Sequence, residues 1–259
     1  MSAPSEEIVR VGTASCRVWR KGDGPRIGVI AGYGGYPGWP EFADRLAETR
    51  EVVVPSLPGF PGSEGHQDLD GILDWVLATR DLLVASGLQG ADVVAVSVGA
   101  PLVADVAALW PATVGRLVLV APFGLFDEAD PVADPWGQRG NEVASAMCAD
   151  PAKFEAMRKR PEDADPVEWQ VQTARALEAS ARYLWPLGVT GLEKRLPRIR
   201  QRTLLVWGDQ DRIVPPSYAE RFRERIGGET EVAMIERAGH LVDLDRPDAL
   251  AAEITRFLN

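Results

Sequence analysis

Histidine and cysteine are scarce in this chain, which has only His66, His240, Cys16 and Cys148 among 259 residues. Two histidines exclude a multi-histidine metal centre and leave two candidates for any chemistry that needs an imidazole. Two cysteines so far apart allow one disulfide in principle but no disulfide framework. Neither has the neighbouring cysteine that a zinc site needs. No uncharged apolar run approaches about 18 residues, so no membrane-spanning helix is expected. The opening MSAPSEEIVRVG lacks the basic and apolar regions of a secretory signal. The expectation is a reduced, soluble, cytoplasmic protein without a membrane partner. Basic residues are also few, 28 Lys and Arg against 38 Asp and Glu, for a net charge of −10. Phosphate backbones need a concentrated basic face, so no nucleic-acid partner is expected. What the chain does have is 46% hydrophobic residues and enough length for one large α/β domain or two small ones. It shows no internal repeat or low-complexity segment.

Two short alternating runs, around Ile8–Val11 and Cys16–Trp19, predict an antiparallel hairpin closed by the turn-rich 21–25 segment. The pattern then changes. Near-continuous apolar runs at 26–31, 52–54, 91–96 and 114–120 suit strands buried on both faces. Helical spacing fills 40–49, 69–86 and 101–110 between them. This alternation predicts a parallel sheet with helices on both sides. It stops at Pro122. Residues 123–200 carry no convincing strand run, but Ala/Glu/Arg-rich helical patterns, prolines and many aromatics. The rhythm resumes with strands at 203–207 and 231–235 and helices at 216–226 and 249–258. The reading is therefore one α/β domain, residues 1–122 and 201–259, interrupted by a helical insertion at 123–200.

Three segments could carry chemistry. The first is Asp92-Val93-Val94-Ala95-Val96-Ser97-Val98-Gly99-Ala100-Pro101, a buried strand that ends in a serine and turns straight into a helix. A serine on such a tight turn brings neighbouring backbone close, which explains small residues at 95, 99 and 100. Pro101 suits the first helical turn, and the helix N-terminus favours developing negative charge. The plainer reading is a serine that only caps the helix. The second is Thr203-Leu204-Leu205-Val206-Trp207-Gly208-Asp209-Gln210-Asp211, where a strand ends in a turn with two carboxylates. Asp209 suits shaping the turn, and Asp211 suits pointing along the sheet edge. The alternatives are an Asx-rich turn or a weak cation loop lacking further ligands. The third is Ala238-Gly239-His240-Leu241, in the loop after the last strand, where a lone histidine could be structural. Ser97, Asp211 and His240 each fall just beyond a strand's C-terminal end, in the chain order of an α/β-hydrolase triad. Ligands of open α/β sheets bind at that same edge.

Over nearly its whole length the chain resembles the α/β-hydrolase superfamily. The opening hairpin, the glycine-rich loop, the serine turn, the interrupting insertion, the W-G-D-Q-D-R-I-V-P segment and the G-H loop all match. The fold this resemblance implies is a mostly parallel central sheet flanked by helices, with residues 123–200 as a helical cap. It implies Ser97 as nucleophile, His240 as general base and Asp211 as the residue that orients the imidazole, with no cofactor or metal. Two positions depart from the usual motifs. Ala95 replaces the first glycine of G-x-S-x-G, and Ala31 replaces the histidine of H-G-x-x-G in Ala31-Gly32-Tyr33-Gly34-Gly35. The backbone N–H groups of Tyr33 and Val98 are assigned to the oxyanion hole. The Tyr33 side chain is alternatively a pocket wall. These glycines lack the further residues of a phosphate-binding loop. Phe123, Phe126, Trp136 and Trp185 are candidate pocket walls, with ordinary core packing as the alternative. His66 reads as a loop or surface residue.

The implied partner is a small to medium, fairly apolar carboxylic ester, with lactones and thioesters as variants. A serine rather than an aspartate at the elbow argues against haloalkane dehalogenase and epoxide hydrolase chemistry. Carbon–carbon bond hydrolysis of meta-cleavage products is the nearest rival. Its usual asparagine before the serine and tryptophan after the histidine are here Val96 and Leu241. A non-catalytic small-molecule receptor on the same fold is the remaining alternative. The oligomeric state is not legible.

Overall fold

Eight strands form one sheet in a computed structural model that describes residues 3–188 and 190–259. The first two, β1 (Ser5–Val11) and β2 (Ala14–Lys21), make the expected hairpin, longer at its open end than the alternating runs suggest. Then come β3 (Arg26–Ile30), α1 (Glu41–Leu46), β4 (Glu51–Pro55), α2 (Ile72–Ala85), β5 (Ala91–Val96), α3 (Ala100–Leu109) and β6 (Val114–Val120). The insertion holds α4 (Gly140–Met147), α5 (Pro151–Arg158) and α6 (Pro166–Leu184). The chain returns through β7 (Thr203–Gly208), α7 (Tyr218–Arg225), β8 (Thr230–Ile235), α8 (Val242–Asp245) and α9 (Pro247–Leu258). Helix α1 is shorter than expected, because Glu48, Thr49 and Arg50 spend their N–H groups on turn bonds around its C-terminus. The single closing helix is preceded by a short α8 that begins two positions after His240.

Strand order is β1-β2-β4-β3-β5-β6-β7-β8, with β2 antiparallel to both of its neighbours, β1 and β4, and every other pair parallel. The apolar runs explain the layering. Strand β7 is buried at every position, and β3, β5 and β6 are buried over their C-terminal four residues, whereas the edge strands β1 and β8 are mostly exposed or half-buried. Central parallel strands covered on both faces need no polar alternation. From β3 the chain moves to β4 on one side, then to β5 on the other. The crevice between β3 and β5 is thus the topological switch point, where open α/β sheets place their ligands.

Helix α6 starts at Asp165, whose carboxylate accepts both Val167 and Glu168 N–H groups at 2.9 Å, with Pro166 at its first position. Helix α5 repeats the device with Asp150 and Pro151. The insertion is fastened beside the last loop of the core. The Asp245 carboxylate accepts the N–H groups of Ala149 (2.7 Å) and Asp150 (3.1 Å), and also that of Gly239 at 2.7 Å. Arg195 makes a two-pronged ion pair, 2.5 and 2.8 Å, with the buried Asp105 of α3. Among the described residues no helix is long and apolar enough to cross a membrane. Cys16 and Cys148 are both free and buried, and burial pushes the Cys16 thiol up to about 11.

Candidate active site

Strand β5 ends at Val96, and Ser97 follows in the left-handed region at φ 49°. A residue other than glycine persists there only where its surroundings hold it. Two glycines permit the close packing. A Cβ added to Gly99 would stand 2.5 Å from the Ala31 carbonyl oxygen, and one added to Gly32 would stand 3.0 Å from Ser97 Cβ. The loop after β3 therefore lies directly against the serine turn.

Ser97, Asp211 and His240 are far apart in sequence and meet at the C-terminal edge of the sheet. Ser97 Oγ lies 2.7 Å from His240 Nε2, and His240 Nδ1 lies 2.9 Å from Asp211 Oδ2. All three are buried. The remaining Asp211 oxygen accepts the N–H groups of Ile213 (2.8 Å) and Val214 (2.9 Å). A carboxylate only accepts, so Nδ1 carries the proton and donates to it, and Nε2 of the neutral ring accepts from the serine hydroxyl. The arrangement can withdraw a proton from Oγ and hold the resulting imidazolium beside a carboxylate. The edge of the Phe123 ring meets the His240 ring at 5.3 Å between centroids. Asp209 accepts from the Ala238 N–H at 3.3 Å, which ties the Asp211 turn to the histidine loop.

Tyr33 is second in a turn closed by the Gly35 N–H on the Gly32 carbonyl at 3.0 Å, a bond that leaves its own N–H unused. Val98 sits within the short 3-10 turn Ser97–Gly99 that opens α3, where N–H groups lack carbonyl partners of their own. The Tyr33 hydroxyl donates to the Pro135 carbonyl at 3.3 Å, and its ring lies 5.7 Å from Trp136. Burial pushes this phenol up to about 12, against the pull of Arg158. Tyr33, Trp136, Phe154, Arg158 and Leu177 line a cavity of about 550 Å³ between the insertion and the core. Neither Ser97 nor His240 is on its wall. Among the described lining residues Tyr33 is the one next to Gly32, which packs against the serine.

The four aromatic candidates divide. Phe123 touches the histidine and Trp136 lines the cavity. Phe126, 42% exposed, reaches only a space of about 10 Å³ that it shares with Phe123. Trp185 is 58% exposed just beyond the end of α6, and its indole N–H donates to Asp134. Phe126 and Trp185 thus stand exposed on the insertion, outside the lining of the 550 Å³ cavity. His66 is buried rather than on the surface, with Nε2 2.5 Å from Glu178 of α6. Leu177, Phe154 and Arg158 line the cavity without any motif to mark them. The buried Asp243, two positions after Leu241, takes the Tyr36 hydroxyl at 2.7 Å, and burial raises its carboxyl despite that bond. Its apolar surroundings in sequence were the available signal.

The family model for the alpha/beta hydrolase family matches residues 29–253, and the chain belongs to that family. A search of curated proteins finds no match to this sequence. Among solved structures, a bacterial membrane phospholipase A described as a virulence factor is similar, at 25% identity and TM-score 0.78. The similarity covers 99% of this chain and 86% of that one. The 2-hydroxy-6-oxo-6-phenylhexa-2,4-dienoate hydrolase of Rhodococcus sp. strain RHA1 is similar at 23% identity and TM-score 0.78, over 100% and 99%. A serine hydrolase involved in carbazole degradation follows at 21% identity and TM-score 0.77, over 99% of each chain. The last two likenesses are of fold.

Proposed function

We propose that this hydrolase cleaves small to medium, fairly apolar carboxylic esters through an acyl-enzyme on Ser97. One observation carries the reading, the unbroken hydrogen-bonded series Ser97–His240–Asp211 at a strained strand-to-helix turn. In this mechanism His240 Nε2 takes the Ser97 proton as Oγ attacks the acyl carbonyl. Asp211 keeps Nδ1 protonated and offsets the imidazolium charge. The Tyr33 and Val98 N–H groups receive the oxyanion, a contribution of several kcal/mol in comparable sites. His240 then returns the proton to the leaving alcohol. Water, activated by the same ring, releases the acid. Residues 123–200 serve as the cap, and the cavity bounded by Tyr33, Trp136, Phe154 and Leu177 receives the apolar part of the substrate.

The dienoate hydrolase resembles this chain in fold, but Val96 and Leu241 flank the serine and histidine here, so ester cleavage is preferred to carbon–carbon cleavage. The test is a fluorophosphonate probe with mass-spectrometric site mapping, run beside p-nitrophenyl esters of increasing chain length, lactones and a ring-fission dienone. Labelling at Ser97 that disappears in Ser97→Ala, with ester turnover, is expected. Dienone cleavage exceeding ester cleavage would move the reading to the carbon–carbon class. No labelling and no turnover of any of them would leave a binding module on a hydrolase fold.

A further inference from the structure

The insertion reaches the serine turn through one buried side chain. Tyr183, in the last turn of α6, donates its hydroxyl to the Val98 carbonyl at 2.9 Å, and both residues are buried. Its ring packs on Trp75 of α2 with centroids 4.8 Å apart, so the hydroxyl is aimed from a fixed platform. Burial raises the phenol further, which keeps it a donor. Val98 is the residue whose N–H is assigned to the oxyanion, and the residue before it holds the strained φ. Gly99 is braced against the Ala31 carbonyl on the β3 side. Tyr183 braces the same turn from the insertion.

That bond depends on where α6 sits. An adjoining face of the helix is fastened to the core by Glu178 on His66, by Arg182 on the Gln67 carbonyl (3.3 Å) and by Arg175 on Glu64 (3.2 Å). Positions 175, 178 and 182 recur at helical spacing and fall on one side. Seating the helix on these contacts and seating the Tyr183 hydroxyl on Val98 are one event.

We propose that Tyr183 is a positioning residue, whose hydrogen bond to the Val98 carbonyl holds the serine turn so that the Val98 N–H faces the developing oxyanion only while α6 is seated on the core. This rests on the ester-hydrolase reading. Tyr183→Phe keeps the ring on Trp75 and deletes the bond. The expected result is a kcat for a p-nitrophenyl ester lower by about fivefold, the equivalent of one ordinary hydrogen bond, with KM unchanged. A trifluoromethyl ketone, whose hemiketal oxygen uses the same N–H groups, should bind more weakly by the factor lost in kcat/KM. The corresponding unreactive amide should bind as before. Ser180→Ala removes a hydroxyl whose bonds, among the described residues, go to the Ala176 and Leu177 carbonyls of the same helix, and should leave kcat unchanged. Equal kcat in Tyr183→Phe and wild type overturns the proposal, as does an equal kcat loss in Ser180→Ala. Should Tyr183→Phe not fold, fluorotyrosines at 183 vary donor strength at nearly constant shape. A kcat that tracks phenol acidity is expected, and a flat series overturns the proposal. A wild-type protein that neither hydrolyses esters nor reacts with the fluorophosphonate defeats the ester reading itself, a result visible before any Tyr183 variant is made.

Discussion

Asp211→Asn exchanges one buried oxygen for an NH₂ group, and the surroundings of Asp211 dictate how the new amide must sit. One carboxylate oxygen accepts two backbone N–H groups, from Ile213 and Val214, at 2.8 and 2.9 Å. The amide oxygen must take that position, because the opposite orientation sets NH₂ against two buried donors, and each buried group left unpaired costs about 1–3 kcal/mol. The NH₂ then faces His240 Nδ1 across the present 2.9 Å contact. A donor there requires an unprotonated Nδ1, which moves the ring proton to Nε2, 2.7 Å from Ser97 Oγ. The ring can then donate to the serine but not accept its proton. The wrong tautomer costs about 10⁴ in kcat in a comparable triad, equivalent to about 5 kcal/mol of barrier. Both backbone bonds survive, so stability should change by only about 1 kcal/mol. The assay is ester turnover with fluorophosphonate labelling rate, beside thermal unfolding of the same preparation. A folded Asp211→Asn protein within tenfold of wild-type kcat refutes the reasoning. It would mean that another carboxylate, Asp243 foremost, supports the imidazole.

Gly32→Ala would bring its Cβ 3.0 Å from Ser97 Cβ and 3.1 Å from a Val96 methyl. Displacing the loop by a few tenths of an ångström should lower kcat/KM for the ester by roughly tenfold, with a circular-dichroism melt close to wild type. Arg195→Met strips the buried Asp105 of its partner and should cost about 3–5 kcal/mol in urea unfolding. Burial raises the Asp105 carboxyl and Arg195 opposes that rise. Without Arg195 its folded value climbs further above the unfolded one, so the contribution present at acid pH is lost as pH rises. The stability gap to wild type should therefore widen from pH 4 to pH 7. Trp185→Ala should leave KM across the ester chain-length series unchanged, since the indole faces solvent and Asp134. A KM shift there would return Trp185 to the pocket wall.

Much of the molecule was legible because its signals are local. Apolar runs such as Val93–Val96 and Leu204–Trp207 are satisfied by strands covered on both sides. Small residues around Ser97 and the glycine before His240 record close backbone approaches that no larger side chain permits. Boundaries were less legible where turn bonds compete with helix bonds, as after α1. The helix α8 escaped because four residues carry too little periodicity. Tyr183, Leu177 and Phe154 fall on helices at ordinary apolar spacing, and that pattern is the same for a residue packed in a core and one aimed at a site. Phe126 and Trp185 show the converse, aromatics whose composition suggests a wall and whose placement is outward.

The sequence by itself determined the parallel sheet, the insertion after β6, and the three residues Ser97, Asp211 and His240 at strand ends, because strand burial and tight-turn sterics act between near neighbours in the chain. Only the tertiary structure decided that Nε2 faces the serine, that Tyr33 links the serine loop to the cavity, and that α6 presses Tyr183 onto Val98. The hydrogen bonds that fix these three placements join residues 85 to 143 positions apart. Their geometry is set by how the insertion packs on the sheet edge, which no local pattern encodes.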